Sequence, residues 1–547
     1  MAGTACGQMV GFDAREATID TVHHSLYSGL STCRDVVSSF MARVETLNNQ
    51  TNAILSLNPS ALADADRLDQ TLSAGNATGS LFCVPVFLKD NYDTANIPTT
   101  GGNLALTRSQ PTVDAPAVVA LKNAGAIILG KANLHELALE GLSVSSLGGQ
   151  TINPYDSTRT PGGSSGGSGA AVAASFCVFA TGTDTVNSLR SPASANSLFS
   201  IRPTRGLISR TGIIPISYTQ DTIGPIARTI RDVAVALTVM SSIGFDSRDN
   251  ATALMPASSR NIDYSTKVSS TPLKGLRVGV LNGFFNRAVS SETSPVNDAM
   301  DITIARLRSQ GVIIVPIKDT LYNATAILGA YDVQRFEYRE AMDAYLSSPP
   351  LPGDHPKSLT ALYSTNATGG GGDFLVIPSQ YEYVTTALQS STGNATYATV
   401  QAGIRSLTLA LAETFHSNSL DAIIYPEQKN LVVKIGSPSQ SGRNGILAAL
   451  TGAPVVTVPI GFSHPSEDAP IGVPIGMEIL GRPWEEAKLL GIGSELEGLL
   501  RARRAPLWAR EVVEVSSAVN GSVPFVRPDQ EHIPEAYPVG TLTYNST

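Results

Sequence analysis

In TIDTVHHSLYSGLSTCRDVVSSFMARVETLN, apolar residues recur at helical spacing, with a break at Gly29. Val36, Val37, Phe40, Met41 and Val44 fall on one face. Ser31 or Thr32 is suited to cap that second helix. ADADRLDQTL predicts another helix. The texture then changes: FCVPVFLKD is a short apolar run rich in β-formers, bounded by Gly79 and by Asp90-Asn91, and reads as a buried strand. APAVVALKNAGAIILGKANL predicts helix then strand, as does AAVAASFCVFATGTDT. LRVGVLNGF and DAIIYP add strands, and VNDAMDITIARLRSQGVIIVPI adds a further helix–strand pair. This alternation predicts an α/β protein with a covered, largely buried sheet.

Two regions break the pattern. Residues 347–374 form a loop-rich insertion, a candidate rim or lid. The tail, 511–547, carries Pro524, Pro528, Pro534 and Pro538 and reads as an extended surface segment. The expected organisation is an N-terminal helical segment (1–60) packed on a core unit (61–510), followed by that tail.

Composition narrows the function. With 547 residues and 42% hydrophobic content, the chain can bury a large core. Its net charge of −8 and lack of a basic tract argue against a nucleic-acid partner. No apolar run approaches the roughly 18–20 residues that a membrane span needs. Cys6, Cys33, Cys83 and Cys177 are too few for a disulfide scaffold and show no metal spacing. Cys83 and Cys177 sit in apolar runs and read as buried thiols, while a Cys6–Cys33 bridge is open to a secreted protein. Sequons stand at Asn49, Asn76, Asn250, Asn323, Asn366, Asn394, Asn520 and Asn545. MAGTACGQMVGFDAREATID does not read as a signal peptide. The sequons suggest a mature secreted protein whose signal Met1 replaces; a cytoplasmic chain rich in Asn, Ser and Thr is the alternative.

RTPGGSSGGSGAA, from Arg159 to Ala171, is the densest chemical signal. A flexible linker would separate independent units, yet a helix and strand follow directly. A phosphate loop would need a lysine after the last glycine, where Ala170 and Ala171 stand. Gly162-Gly163-Ser164-Ser165-Gly166 fits G-x-S-x-G, but the elbow motif needs a preceding strand and TINPYDSTRTP offers none. His416, His464 and His532 could complete such a triad, though none lies in a telling context.

A fourth reading joins distant residues. Lys89 ends the apolar run; held inside, it would lose affinity for its proton and could act as a base. Such a base needs a hydroxyl to activate. Ser188, in GTDTVNSLRSPAS, lies just past a strand, and Ser164 could stand between the two.

With these residues in place, the chain resembles the amidase signature family. VPVFLKDNYDTANIPTTGG resembles its lysine block, NPYDSTRTPGGSSGGSGAAVA its Gly/Ser signature, and GTDTVNSLRSPASANSLFSIRPTRGLISRTGIIP its nucleophile block. QDTIGPIARTIRDVAVAL, LTGAPVVTVPIGF and PIGMEILGRPWEEAKLL resemble later blocks, so the likeness spans about residues 20–505. It implies one large α/β/α domain with a central mixed sheet. It also implies hydrolysis of a small-molecule carboxylic amide without metal or cofactor. Ser188 would be the nucleophile, Ser164 a relay on a cis peptide after Gly163, and Lys89 the base. Backbone N–H groups of Thr185, Val186, Asn187 and Ser188 would hold the oxyanion. Ser165, Asp184 and Arg190 would support them, Arg190 with an equal claim to a purely structural pair with Asp184. The family often has Gly-Gly where this chain has Val186-Asn187; Val186 resists positive φ, and Asn187 tolerates it. Rival readings are an amidotransferase subunit within a complex and a non-catalytic binding protein. Substrate identity and the choice between monomer and homodimer stay open.

Overall fold

The computed structural model describes residues 11–515 apart from 77, 269–270, 364–373 and 376–377, together with 539–540. Its centre is an eleven-stranded sheet. The strands are β1 (Ile54–Leu57), β2 (Pro85–Lys89), β3 (Ile127–Ala132), β4 (Phe179–Asp184), β5 (Phe199–Arg202), β6 (Thr222–Ala227), β7 (Arg277–Leu281), β8 (Ile313–Ile317), β9 (Ala422–Pro426), β10 (Val455–Phe462) and β11 (Pro474–Leu480). Their order is β1-β3-β2-β4-β6-β5-β10-β11-β9-β7-β8. The pairs β3/β2, β2/β4, β9/β7 and β7/β8 are parallel and the others antiparallel, so the sheet is mixed. Every residue of β2, β3, β4, β5, β6, β9 and β11 is buried. Successive side chains on a strand face opposite ways, so both faces are covered there, which explains the unbroken apolar runs. The α/β class and the mixed buried sheet are as expected.

The predicted helices are also present. They include α1 (Ile19–Tyr27), α2 (Cys33–Leu47), α3 (Ala61–Ser73), α4 (Pro116–Asn123) and α5 (Gly166–Ala173); α6 (Arg190–Ala195) is a short helix that the sequence pattern did not predict. Of the two candidate caps for α2, Thr32 is the one used. Its hydroxyl accepts from the Asp35 N–H, and the Asp35 carboxylate accepts from the Thr32 N–H. The predicted α2 face, Val36 to Val44, is buried. Among the described residues no helix is long and apolar enough to cross a membrane.

Two cysteine expectations are overturned, the Cys6–Cys33 bridge and the free thiol at Cys83. Cys33 is bonded to Cys83 rather than to Cys6, which lies outside the described residues. The start of α2 and the turn entering β2 lie side by side, with Cα atoms 5.6 Å apart. The apolar surroundings showed Cys83 as buried but hid its partner; Cys177 is the buried free thiol expected. The insertion and the tail meet: Phe374–Leu375 pairs antiparallel with Val539–Gly540. The rest of the tail past 515 lies outside the described residues, as does much of the insertion.

The Gly/Ser stretch leads into α5, which crosses other chain segments at backbone distance. A Cβ on Gly167 would stand 2.2 Å from Asn133 O and 2.6 Å from Ala53 O. Those are main-chain atoms that cannot swing aside. Gly167→Ala should therefore destabilise the protein by roughly 1–3 kcal/mol through overpacking, read as a lowered urea midpoint. An unchanged midpoint would mean that α5 does not sit this close.

Candidate active site

Three segments converge at one end of the parallel β2/β4 pair. The last residue of β2 is Lys89, fully buried. Its Nζ lies 2.7 Å from Ser164 Oγ and 2.7 Å from Thr183 Oγ1 on β4. Ser164 follows a cis peptide bond from Gly163. The Ser164 carbonyl accepts from the His135 N–H at 3.0 Å. Ser165 holds the neighbouring strand: its Oγ accepts from Thr183 N and donates to Thr183 O, each at 3.3 Å.

Among the described residues Lys89 forms no ion pair, whereas the equally buried Lys131 on β3 pairs with Asp90 at 3.3 Å. Burial therefore pushes the Lys89 ammonium down to about 7, against the pull of Asp184 and Asp221. A lysine so placed is substantially neutral at ordinary pH and has two hydroxyls within reach.

The turn after β4 carries the remaining candidates. Thr185, Val186 and Ser188 line a cleft with Glu140, Asp332 and Arg443. Ser188 is 8% exposed. Among the described residues no hydrogen bond joins Ser188 to Ser164, so the structure unites Lys89 with Ser164 and leaves Ser188 open to the cleft. The N–H groups of Thr185, Val186, Asn187 and Ser188 likewise donate no hydrogen bond among these residues. Three of the turn's carbonyls, in contrast, are held. Gln220 Nε2 donates to Thr185 O at 3.2 Å, Arg190 Nη2 to Val186 O, and Ser191 N to Asn187 O at 2.7 Å. Thr185 Oγ1 donates to Asp221 at 2.6 Å. Such a turn presents spare donors on a fixed frame, as an oxyanion site requires.

Neither Val186 nor Asn187 has positive φ. The left-handed conformation that Asn187 could have taken is thus not needed. The turn instead leans on Gly445, where a Cβ would stand 2.2 Å from Val186 O and 2.5 Å from Asn187 Cβ.

Behind the turn lies a buried charge network. Asp184 accepts from Arg190 Nε at 3.0 Å and from Arg202 Nη1 at 2.7 Å, while Arg190 Nη1 donates to Glu478 at 2.8 Å. Although burial pushes its acid up, the two guanidiniums win and hold Asp184 well below the usual carboxylate range. Arg190 is thus the structural partner of Asp184 and also a direct tie on the turn. Sequence reasoning missed Thr183, Arg202, Glu427 and Glu478. Small hydroxyls in GTDT and a carboxylate straight after the apolar DAIIYP were the available signals. The elbow alternative loses its basis. Residues 151–165 form no strand, and the Ser164 hydroxyl meets a lysine rather than a histidine.

A buried amine–hydroxyl pair beside spare N–H donors belongs to the chemistry of acyl transfer. The comparisons agree. The sequence profile of the Amidase family matches residues 35–490. The chain belongs to that family, the amidase signature enzymes. It is 31% identical over 504 residues to a glutamyl-tRNA(Gln) amidotransferase subunit of Microcystis aeruginosa (strain NIES-843 / IAM M-2473), covering 88% of this chain and 97% of that one. The native peptide amidase of Stenotrophomonas maltophilia superposes with a TM-score of 0.78 at 30% identity, covering 90% of this chain and 98% of that one. The corresponding glutamyl-tRNA(Gln) amidotransferase subunit from Thermotoga maritima shares the fold, with a TM-score of 0.66 at 23% identity, covering 95% of this chain and 100% of that one.

The charge network makes a direct prediction. Arg190→Ala strands Glu478 in the interior, leaves Asp184 with Arg202 alone, and should cost about 3–5 kcal/mol, seen in urea denaturation. A variant as stable as the parent would show that the network does not brace the turn.

Proposed function

We propose that the protein hydrolyses a carboxylic amide to acid and amine through an acyl-enzyme on Ser188. The observation that carries this reading is the unpaired, buried Lys89 amine 2.7 Å from Ser164 Oγ, next to a turn of four spare N–H donors. Neutral Lys89 takes the Ser164 proton as Ser164 takes that of Ser188. Ser188 Oγ bonds to the amide carbon, and the carbonyl oxygen, now an anion, accepts from the turn's N–H groups. The C–N bond breaks as the proton returns through Ser164 to the departing nitrogen. Water then attacks the ester along the same relay and releases the acid. The Ser164–Ser188 link forms as substrate seats in the cleft, since catalytic hydrogen bonds often close only in the complex.

A second reading, in which the chain is one component of an amidotransferase, is favoured by the 31% identity to the Microcystis protein. It requires a stoichiometric partner that co-purifies and raises activity. The hydrolase reading requires turnover by the chain alone.

Lys89→Ala should lower kcat/KM by roughly 10²–10⁴-fold, the usual worth of a positioned base, on whichever amide of a substrate panel the enzyme hydrolyses. Ser188→Ala should abolish turnover. Because burial lowers the Lys89 pKa to about 7, the amine is protonated below that pH and free above it. Activity should therefore rise as pH passes through about 7. Near-normal activity in Lys89→Ala would refute the assignment.

We also propose that the protein is secreted and N-glycosylated. Asn49, Asn76, Asn250, Asn323 and Asn394 are all exposed, and Cys33–Cys83 suits an oxidising compartment. Asn323 and Asn394 cap helices through Oδ1, which leaves the amide nitrogen for a glycan. Asn366, Asn520 and Asn545 lie outside the described residues. Protein secreted from a eukaryotic host should lose mass on peptide N-glycosidase treatment, with Asn converted to Asp at these sites. Unmodified asparagines throughout would contradict the proposal.

A further inference from the structure

The turn has one anchor that differs in kind from the rest. Asn187 Nδ2 donates to Glu427 Oε1 at 3.0 Å, and both side chains are buried. Glu427 stands directly after β9, and among the described residues it forms no ion pair. From the elements packed against it, the charged groups that face it are Glu478 on β11, Arg190 on α6 and Asp184 on β4. Arg202 on β5 joins them through Asp184. The two guanidiniums are already matched by the carboxylates of Asp184 and Glu478. An ionised Glu427 would be a surplus anion in a dry site.

It would also be an anion behind the N–H groups that must stabilise a second one. A negative charge there opposes the charge that develops on the carbonyl oxygen. A protonated carboxyl avoids both conflicts, and it has a place for its proton. Asn187 Oδ1 is buried with no hydrogen-bond partner. A carboxylic acid facing a primary amide can donate through its O–H and accept through its carbonyl oxygen.

Resting on the acyl-enzyme reading above, we infer that Glu427 is a positioning residue that holds the oxyanion turn through Asn187, and does so as a neutral carboxylic acid. Its titration agrees. Burial, then the Glu478 charge, pushes the carboxyl up to about 8, against the opposing pull of the Asn187 hydrogen bond and Arg190. Glu427 is therefore protonated below about pH 8 and becomes the surplus anion above it. With the Lys89 limb rising through about 7, the enzyme should have a narrow optimum between the two.

The test needs no knowledge of the substrate. The rate of Ser188 modification by an alkyl fluorophosphonate, whose oxygen also enters the oxyanion site, is measured from pH 6 to 10. Three proteins are compared: the parent, Glu427→Gln and Glu427→Ala. The parent rate should fall by about tenfold or more between its optimum and pH 10, as one ionisation ahead of the reacting centre requires. Glu427→Gln keeps the amide contact and cannot ionise. It should stay within about threefold of the parent at pH 7 and lose the alkaline fall, a readout that a merely structural role would not move. Glu427→Ala should be about tenfold slower at every pH, with a cooperative melt showing that it folds. An alkaline fall in Glu427→Gln equal to the parent's, or a parent-like rate in Glu427→Ala, overturns the inference alone. Absence of Ser188 modification in the parent overturns the acyl-enzyme reading and this inference with it.

Discussion

The site depends on keeping one amine dry and uncompensated. Lys89 projects from the end of a strand that is buried on both faces, and it meets hydroxyls instead of carboxylates. Desolvation then does what a dedicated partner would otherwise have to do: it releases the proton near neutral pH. The contrast with Lys131 is instructive, because the two lysines lie on adjacent parallel strands and are equally buried. Lys131 faces the Asp90 carboxylate and also donates to Tyr92 O and Thr99 Oγ1, so the downward push of burial on its ammonium is opposed by Asp90 and Asp93. A carboxylate in place of Thr183 would give Lys89 the same kind of opposing partner.

The turn of 185–188 is rigid for a complementary reason. Three of its carbonyls are tied by Gln220, Arg190 and Ser191, while its N–H groups are left without an acceptor among the described residues. The ties descend from a closed set of two guanidiniums and two carboxylates that the sheet brings together from β4, α6, β5 and β11. Buried ion networks seldom add stability over apolar packing, but they do fix geometry, and here the geometry is that of the donors. Val186-Asn187, the pair that departs from the family pattern, fits this frame without left-handed backbone because Gly445 gives way and Glu427 supplies a partner.

Much of this was legible in the sequence. Periodicity gave α2 and its buried face; apolar runs gave β2, β3, β4, β7 and β9; and the strand-end lysine and the serines were visible as chemistry. What stayed hidden was set by pairings distant in sequence. Cys33 showed no sign of Cys83, because neither apolar context nor spacing encodes a disulfide partner. Glu427 reaches Asn187 across 240 residues, and only the sheet order places β9 beside β11 and thus behind the turn. The glycines of RTPGGSSGGSGAA could be read as room around an unusual peptide bond. At Gly167 they prove to be room for main-chain atoms of Asn133 and Ala53.

The division of labour between two serines is the centre of this account, and one experiment addresses it directly. The protein is treated with a fluorophosphonate, digested, and the modified peptide sequenced by mass spectrometry. A single adduct on Ser188 is expected, lost in Ser188→Ala and strongly slowed in Lys89→Ala. An adduct on Ser164 would contradict it, because Ser164 would then be the nucleophile and not the relay.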